Sequence, residues 1–200
     1  PTKTGYTFGG WFTNEGLTGD AVTQIAQGST ANVVLYAKWT AVAYTITYNL
    51  NDGTNHNDNP AGFAVETETI TLLDPTKTGY TFGGWFDNEA LTGTAVTQIA
   101  QGSAADVSLY AKWTATAYTI TYHLNDGTNN EANPANFTVE TATINLQNPT
   151  KTGYTFGGWF TNEGLTGDAI TQVAQGSAAD VNLYAKWTAT AYTITYHLND

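Results

Sequence analysis

Cysteine, methionine and arginine are all absent from the 200 residues. Without cysteine there are no disulfides, no thiolate metal sites and no cysteine nucleophiles. Losing methionine as well removes the two most easily oxidised side chains. Such a chain tolerates oxidising surroundings without redox chemistry, which fits an extracellular setting; a cytosolic chain that never needed disulfides has the same composition. Charge is also scarce, at 12% of residues, about half the usual share. Six lysines face 17 acids, and the net charge is -11. Phosphate backbones are bound by clustered Lys and Arg, so nucleic acid is excluded as a partner. An anionic membrane surface is excluded on the same ground. The apolar runs are too short to span a bilayer, so no membrane insertion is expected in this segment. No secretory leader opens the sequence, and an export signal is expected outside it.

Apolar residues make up 41% of the chain and aromatics 13%, which is ample for packed cores and argues against wholesale disorder. These residues recur. The string PTKTGYTFGGWF starts at Pro1, Pro75 and Pro149, LYAKWT at Leu35, Leu109 and Leu183, and AYTITY at Ala43, Ala117 and Ala191. The period is 74 residues in every case. Residues 75–126 and 149–200 align without a gap and differ at positions 87, 90, 94, 96, 99 and 108 of the earlier copy. Solenoid units run to roughly 20–50 residues and bury no core alone. A 74-residue unit is self-sufficient, so beads on a string are expected. Each bead would have a radius of gyration near ~11 Å and span about 30 Å.

The expected division is the back part of a unit over residues 1–40, complete units over 41–114 and 115–188, and the first strand of a further unit over 189–200. The chain thus reads as a window on a longer array. Only Thr114–Ala117 separates Trp113 from Tyr118. So short a linker restricts the angle between neighbours, unlike a Gly/Ser tether.

Within a unit, Tyr118, Ile120, Tyr122 and Leu124 alternate with Thr119, Thr121 and His123, the period-two pattern of a half-buried strand. A turn-rich loop follows from Asn125 to Pro134. The apolar positions Phe137, Val139, Ile144 and Leu146 change parity, which predicts a bulge or helical turn between Val139 and Ile144. In Gly153–Phe160, Tyr154 and Phe156 share a face from which Trp159 would point away. A bulge at Gly157-Gly158 would return Trp159 to the core. Ala169–Val173 is ambiguous between strand and helical turn, and Val181–Trp187 is a closing strand. The fold class is mostly β, α+β at most, with no more than one short helix.

The pairing of GYTFGGWF with LYAKW some twenty residues later resembles the Listeria–Bacteroides repeat family, which includes the B-repeat of listerial internalins. The residues that carry it are Gly79, Tyr80, Phe82, Gly84, Trp85 and Phe86, then Leu109, Tyr110, Ala111 and Trp113. The openings Tyr44–Gly53 and Tyr118–Gly127 fit too, so the resemblance covers essentially the whole chain. It implies a small β-grasp-like domain, repeated in secreted or wall-attached bacterial proteins as a spacer or adhesion module. The loop after the first strand is longer here than in the shorter members.

No constellation in the sequence carries catalysis. The motifs of zinc proteases, nucleophile elbows and P-loops are missing. His123 is matched by Asn49, His56 by Asn130, and His197 repeats His123. Glu66 and Glu140 correspond, but Glu68 becomes Ala142, so no carboxylate pair recurs. Asp52–Asp58 offers oxygen ligands suited to Ca²⁺. Its counterpart Asp126–Ala132 changes that set, and an ordinary Asn/Asp/Gly turn is the expected account. No metal or cofactor is therefore assigned. Trp85, Trp113, Tyr80, Phe82 and Tyr110 could stack on sugars, but the stronger expectation is core. Tyr110 and Tyr118 are alternatively candidates to pack between beads. Lys77, Lys112, Lys151 and Lys186 raise a Lys–Asn cross-link; Lys112 alternates to the solvent face and is expected to stay unmodified.

The expected function is a non-catalytic, semi-rigid stalk in a secreted or surface protein of a bacterium. The alternatives are a multivalent module binding glycans or surface proteins, and self-association into filaments. Neighbouring repeat units are the first partners expected.

Overall fold

A computed structural model describes residues 1–197. Tyr6–Phe12 (β1) and Tyr36–Ala41 (β2) form an antiparallel pair. Six strands follow in the first complete repeat: Tyr44–Asn49 (β3), Gly62–Phe63 (β4), Ile70–Thr71 (β5), Tyr80–Phe86 (β6), Gln98–Ile99 (β7) and Val107–Ala115 (β8). The next repeat gives Tyr118–His123 (β9), Asn136–Phe137 (β10), Ile144–Asn145 (β11), Tyr154–Phe160 (β12), Gln172–Val173 (β13) and Val181–Ala189 (β14). No helix occurs among the described residues. Each strand of one repeat returns 74 residues later, as near-identity of sequence requires.

Each complete repeat holds a four-stranded sheet, in the order β4-β3-β8-β6 or β10-β9-β14-β12, and a two-stranded ladder, β5-β7 or β11-β13. The central pair is parallel: Ile46 faces Val107, and Ile120 faces Val181. First and last strands of a repeat thus lie side by side, so a repeat closes only when both its ends are present. This is the β-grasp-like sheet expected, with the short ladder present and the helix absent.

Alternation along β3 and β8 sends Ile46, Leu109 and Ala111 inward, where they meet Phe63, Leu72, Ile99 and Trp85. The later repeat packs Ile120, Leu183, Ala185, Phe137, Leu146, Val173 and Trp159 in the same way. The expected bulge is there. Pairing of β12 with β14 shifts register between Phe156 and Trp159, Gly158 sits at φ 115°, and Trp159 is 1% exposed. Trp85 is 2% exposed. Burying a ring of this size contributes about 4–6 kcal/mol gross by area. The parity change at 139–144 is a turn in which Thr141 N–H donates to the Thr138 carbonyl. The ambiguous segment before Val173 is extended, with Ile170 bridging to Trp159 ahead of β13.

The chain divides into two compact units, Pro1–Lys77 with Phe82–Trp113, and Thr78–Thr81 with the residues from Thr114 onward. The boundary does not follow the sequence period, since Thr78–Thr81 of one repeat belongs with the repeat that follows. Beyond Ala189 the segment expected to open a further unit forms no strand over its described part, Thr190–His197. Tyr192, Ile194 and Tyr196 are 77, 77 and 80% exposed, because no neighbouring strand pairs with them. Residues 198–200 of that expected strand lie outside the described residues.

Candidate functional surfaces

The aromatic residues are spent largely on the core. Tyr48, Trp85, Phe82 and Trp113 form a ladder of edge-to-face contacts at 5.2, 5.3 and 5.5 Å between centroids. Tyr122, Trp159, Phe156 and Trp187 repeat it at 5.3, 5.3 and 5.6 Å. The indole nitrogens are satisfied: Trp85 Nε1 donates to the Leu73 carbonyl and Trp113 Nε1 to that of Leu50. Gly53 lies under Trp113, where a Cβ would come within 2.6 Å of Cζ2. Burial raises the pKa of the Tyr48 and Tyr122 hydroxyls, which donate to the Pro60 and Pro134 carbonyls. Tyr118, a candidate for contact between beads, packs instead on Phe137 of its own repeat at 5.7 Å. Tyr184, the counterpart of Tyr110, is stacked on His123 at 4.2 Å, and His123 Nε2 meets Asn182 Oδ1 at 3.2 Å.

The long loop satisfies its own polar groups. Asn55 Oδ1 accepts from His56 N–H and from Asn59 Nδ2, and His56 Nδ1 accepts from Asp58 N–H. Asn129 and Asn130 do the same in the later copy. These are Asx-type turns. Among the described residues no three His, Asp or Glu side chains converge in a metal-binding group. Lys77 Nζ and Lys151 Nζ donate to the carbonyls of Asn51 and Asn125 at the start of the same loop. Lys112 and Lys186 are exposed, with their ammonium groups 5.5 and 5.3 Å from the Phe86 and Phe160 rings.

Sequence reasoning missed two features. Among the described residues Asn59 and Asn133 are the buried polar side chains. Asn133 Nδ2 donates to the Gln147 carbonyl while Oδ1 accepts from Gln147 N–H. The side chain thus imitates a strand and pins the loop. Asn59 treats Leu73 likewise. The signal was the Asn-Pro pair shared by the two loops. The second missed feature is the partner of the glutamates. Glu66 accepts from Tyr6 Oη at 2.8 Å, and Glu140 from Tyr80 Oη at 3.1 Å. The hydrogen bond to Glu66 is the main reason the Tyr6 pKa is raised. Glu68 is exposed.

One acid per repeat acts at the end of the central parallel strand pair. Asp106 and Asp180 accept from the backbone N–H of Thr45 and Thr119 at 2.7 Å. That bond holds both carboxyls below the ordinary aspartate pKa.

The sequence model of the Listeria-Bacteroides repeat domain matches residues 1–38, 44–112 and 118–186. Curated relatives agree. A protein of Evansella cellulosilytica provisionally named a Gly-rich membrane protein is 31% identical over 98% of this chain and 22% of its own length. Internalin H of Listeria monocytogenes is 37% identical over 57% of this chain and 20% of its own. The chain therefore spans about a fifth of the length of these relatives. No solved structure matches it. No helix among the described residues is long and apolar enough to cross a membrane.

Proposed function

The chain belongs to the Listeria-Bacteroides repeat domain family, and from that premise we propose that it is a non-catalytic spacer. On this reading the array is a semi-rigid stalk of an extracellular bacterial surface protein, holding another domain away from the cell. The observation that carries it is the fate of the aromatic rings, which line the interior of both complete repeats in the same edge-to-face ladder. A sugar-binding surface leaves ring faces open to stack on. The exposed positions of the central strands are mainly Thr, Ser, Asn and Lys, among them Thr45, Thr47, Ser108, Lys112 and Asn182, which suits a solvated, repetitive shaft. Names of relatives that include a membrane protein and an internalin support the placement at a cell surface.

The test is retention of the chain on glycan arrays and on intact bacterial cells, with longer arrays of the same repeat alongside. A spacer is expected to show none at any valency. Retention that climbs steeply with repeat number is the signature of weak multivalent adhesion and would replace the stalk reading.

A further inference from the structure

The same corner occurs three times in the chain, and it is covered twice. Gly5 stands at φ 76° and Gly79 at φ 79°, conformations that L side chains rarely adopt. A Cβ on Gly5 would overlap Val65 Cγ1, and one on Gly79 would overlap Val139 Cγ1. Next to each glycine the tyrosine hydroxyl bonds the following glutamate, Tyr6 to Glu66 and Tyr80 to Glu140. The glycine carbonyl also fixes the linker, accepting from Val42 N–H in one case and Thr116 N–H in the other.

The Val–Glu pair is presented on a turn built for it. Ala64 N–H donates to Thr67 Oγ1 while Thr67 N–H donates to the Ala64 carbonyl. Thr138 and Thr141 make the same two bonds. The Val65 and Val139 carbonyls are tied to Gly102 and Gly176 of their own repeats. A valine methyl group and a carboxylate are thus held out together.

The third corner is open. Gly153 has the same φ, 79°, and its carbonyl accepts from Thr190 N–H, yet nothing lies within 4 Å of where a Cβ would be. Tyr154 is 43% exposed, while Tyr6 and Tyr80 are half-buried. We propose that Gly153 and Tyr154 form a docking socket for the Val–Glu turn of the next copy of this repeat in the same chain. The occupant is identified by the two filled sockets. The sequence Ala191–Asp200 is identical to 117–126, the opening of the preceding repeat. The socket sets how each repeat is joined to the next, whether the array is spacer or adhesin.

Tyrosine nitration mapped by mass spectrometry tests this on the chain as it stands. Tyr6 and Tyr80 react several-fold more slowly than Tyr154; equal rates would overturn the proposal. Val139→Ala combined with Glu140→Ala raises the Tyr80 rate to that of Tyr154 and leaves Tyr6 unchanged, with near-ultraviolet circular dichroism preserved. An unchanged Tyr80 rate counts against the socket. Continuing the chain past Asp200 with the sequence of residues 127–190 completes the next repeat and protects Tyr154 to the level of Tyr80. The same extension carrying Asp at the valine and Ala at the glutamate leaves Tyr154 reactive. Persistent reactivity with the unaltered extension refutes the socket. Protection of Tyr154 in the original chain that grows with protein concentration assigns the occupant to a second chain and overturns the in-chain assignment.

Discussion

At the scale of the residue, two side chains decide whether a repeat holds together. Trp159 fills the centre of its core at 1% exposure, and Trp159→Ala is expected to cost about 3–5 kcal/mol. Urea unfolding followed by tryptophan fluorescence should then show an early transition for that repeat and an unchanged one for its neighbour, which serves as an internal control. Asn133→Ala strands the Gln147 N–H and carbonyl away from their partner. It should destabilise the same repeat by about 1–3 kcal/mol, the range for an unsatisfied buried group; a loss no larger than that of an exposed Asn→Ala would sink this assignment. The tryptophan was legible in the sequence, because a chain poor in other large apolar residues must bury its rings. The asparagine was not. In a loop of Asn, Asp and Gly only a following proline sets apart the one side chain that turns inward, and what fixes it there is a backbone segment 14 residues away.

Elements are governed by what lies beside them. Tyr118–His123 and Tyr192–His197 have identical sequences, yet one is a strand with Ile120 at 4% exposure and the other leaves Ile194 at 77%. Period two describes a willingness to be a strand, and pairing realises it. The long strands were therefore readable from alternation, whereas β4, β5, β7 and their later counterparts, two residues each, leave no periodic trace. Glycine gave the bulge away. At Gly158 a Cβ would stand 2.7 Å from Ala169 Cβ at φ 115°, so Gly158→Ala is expected to cost about 1–3 kcal/mol and to change the Trp159 signal in near-ultraviolet circular dichroism. The acids at the ends of the central strand pairs add a pH dependence. Because Asp106 and Asp180 have folded pKa values below ordinary, their contribution is complete above the unfolded value of about 3.9. It is lost as pH falls through the lower folded value. Melting temperature should drop over that acid window, and less so in the Asp106→Asn, Asp180→Asn double variant. Equal slopes for the two proteins would remove these carboxylates from the account.

The molecule as a whole carries the consequence of repeating itself. The exposed segment Tyr192–His197 duplicates β9, and β9 lies between β10 and β14. In the 200-residue chain, residues 192–197 therefore match the β9 slot of another copy in sequence as well as β9 itself does. Strand exchange between near-identical neighbours is the failure expected of such arrays, and an uncovered strand sequence is its starting point. The folded 200-residue chain protects the slot, since β9 reaches it from the same chain at a far higher effective concentration than residues 192–197 of another copy in solution. Refolding at high concentration removes that advantage, because these segments compete while the slots are still empty. Dimers should then form in a fraction that rises with protein concentration and be visible by size-exclusion chromatography with light scattering. Replacing Ile194 with Asp should suppress them without altering the stability of the complete repeats, as Ile194 makes no core contact in the monomer. Dimers that persist in the Ile194→Asp protein would place the exchange elsewhere, and monomers at every refolding concentration would mean that β9 docks before residues 192–197 of another copy can reach its slot.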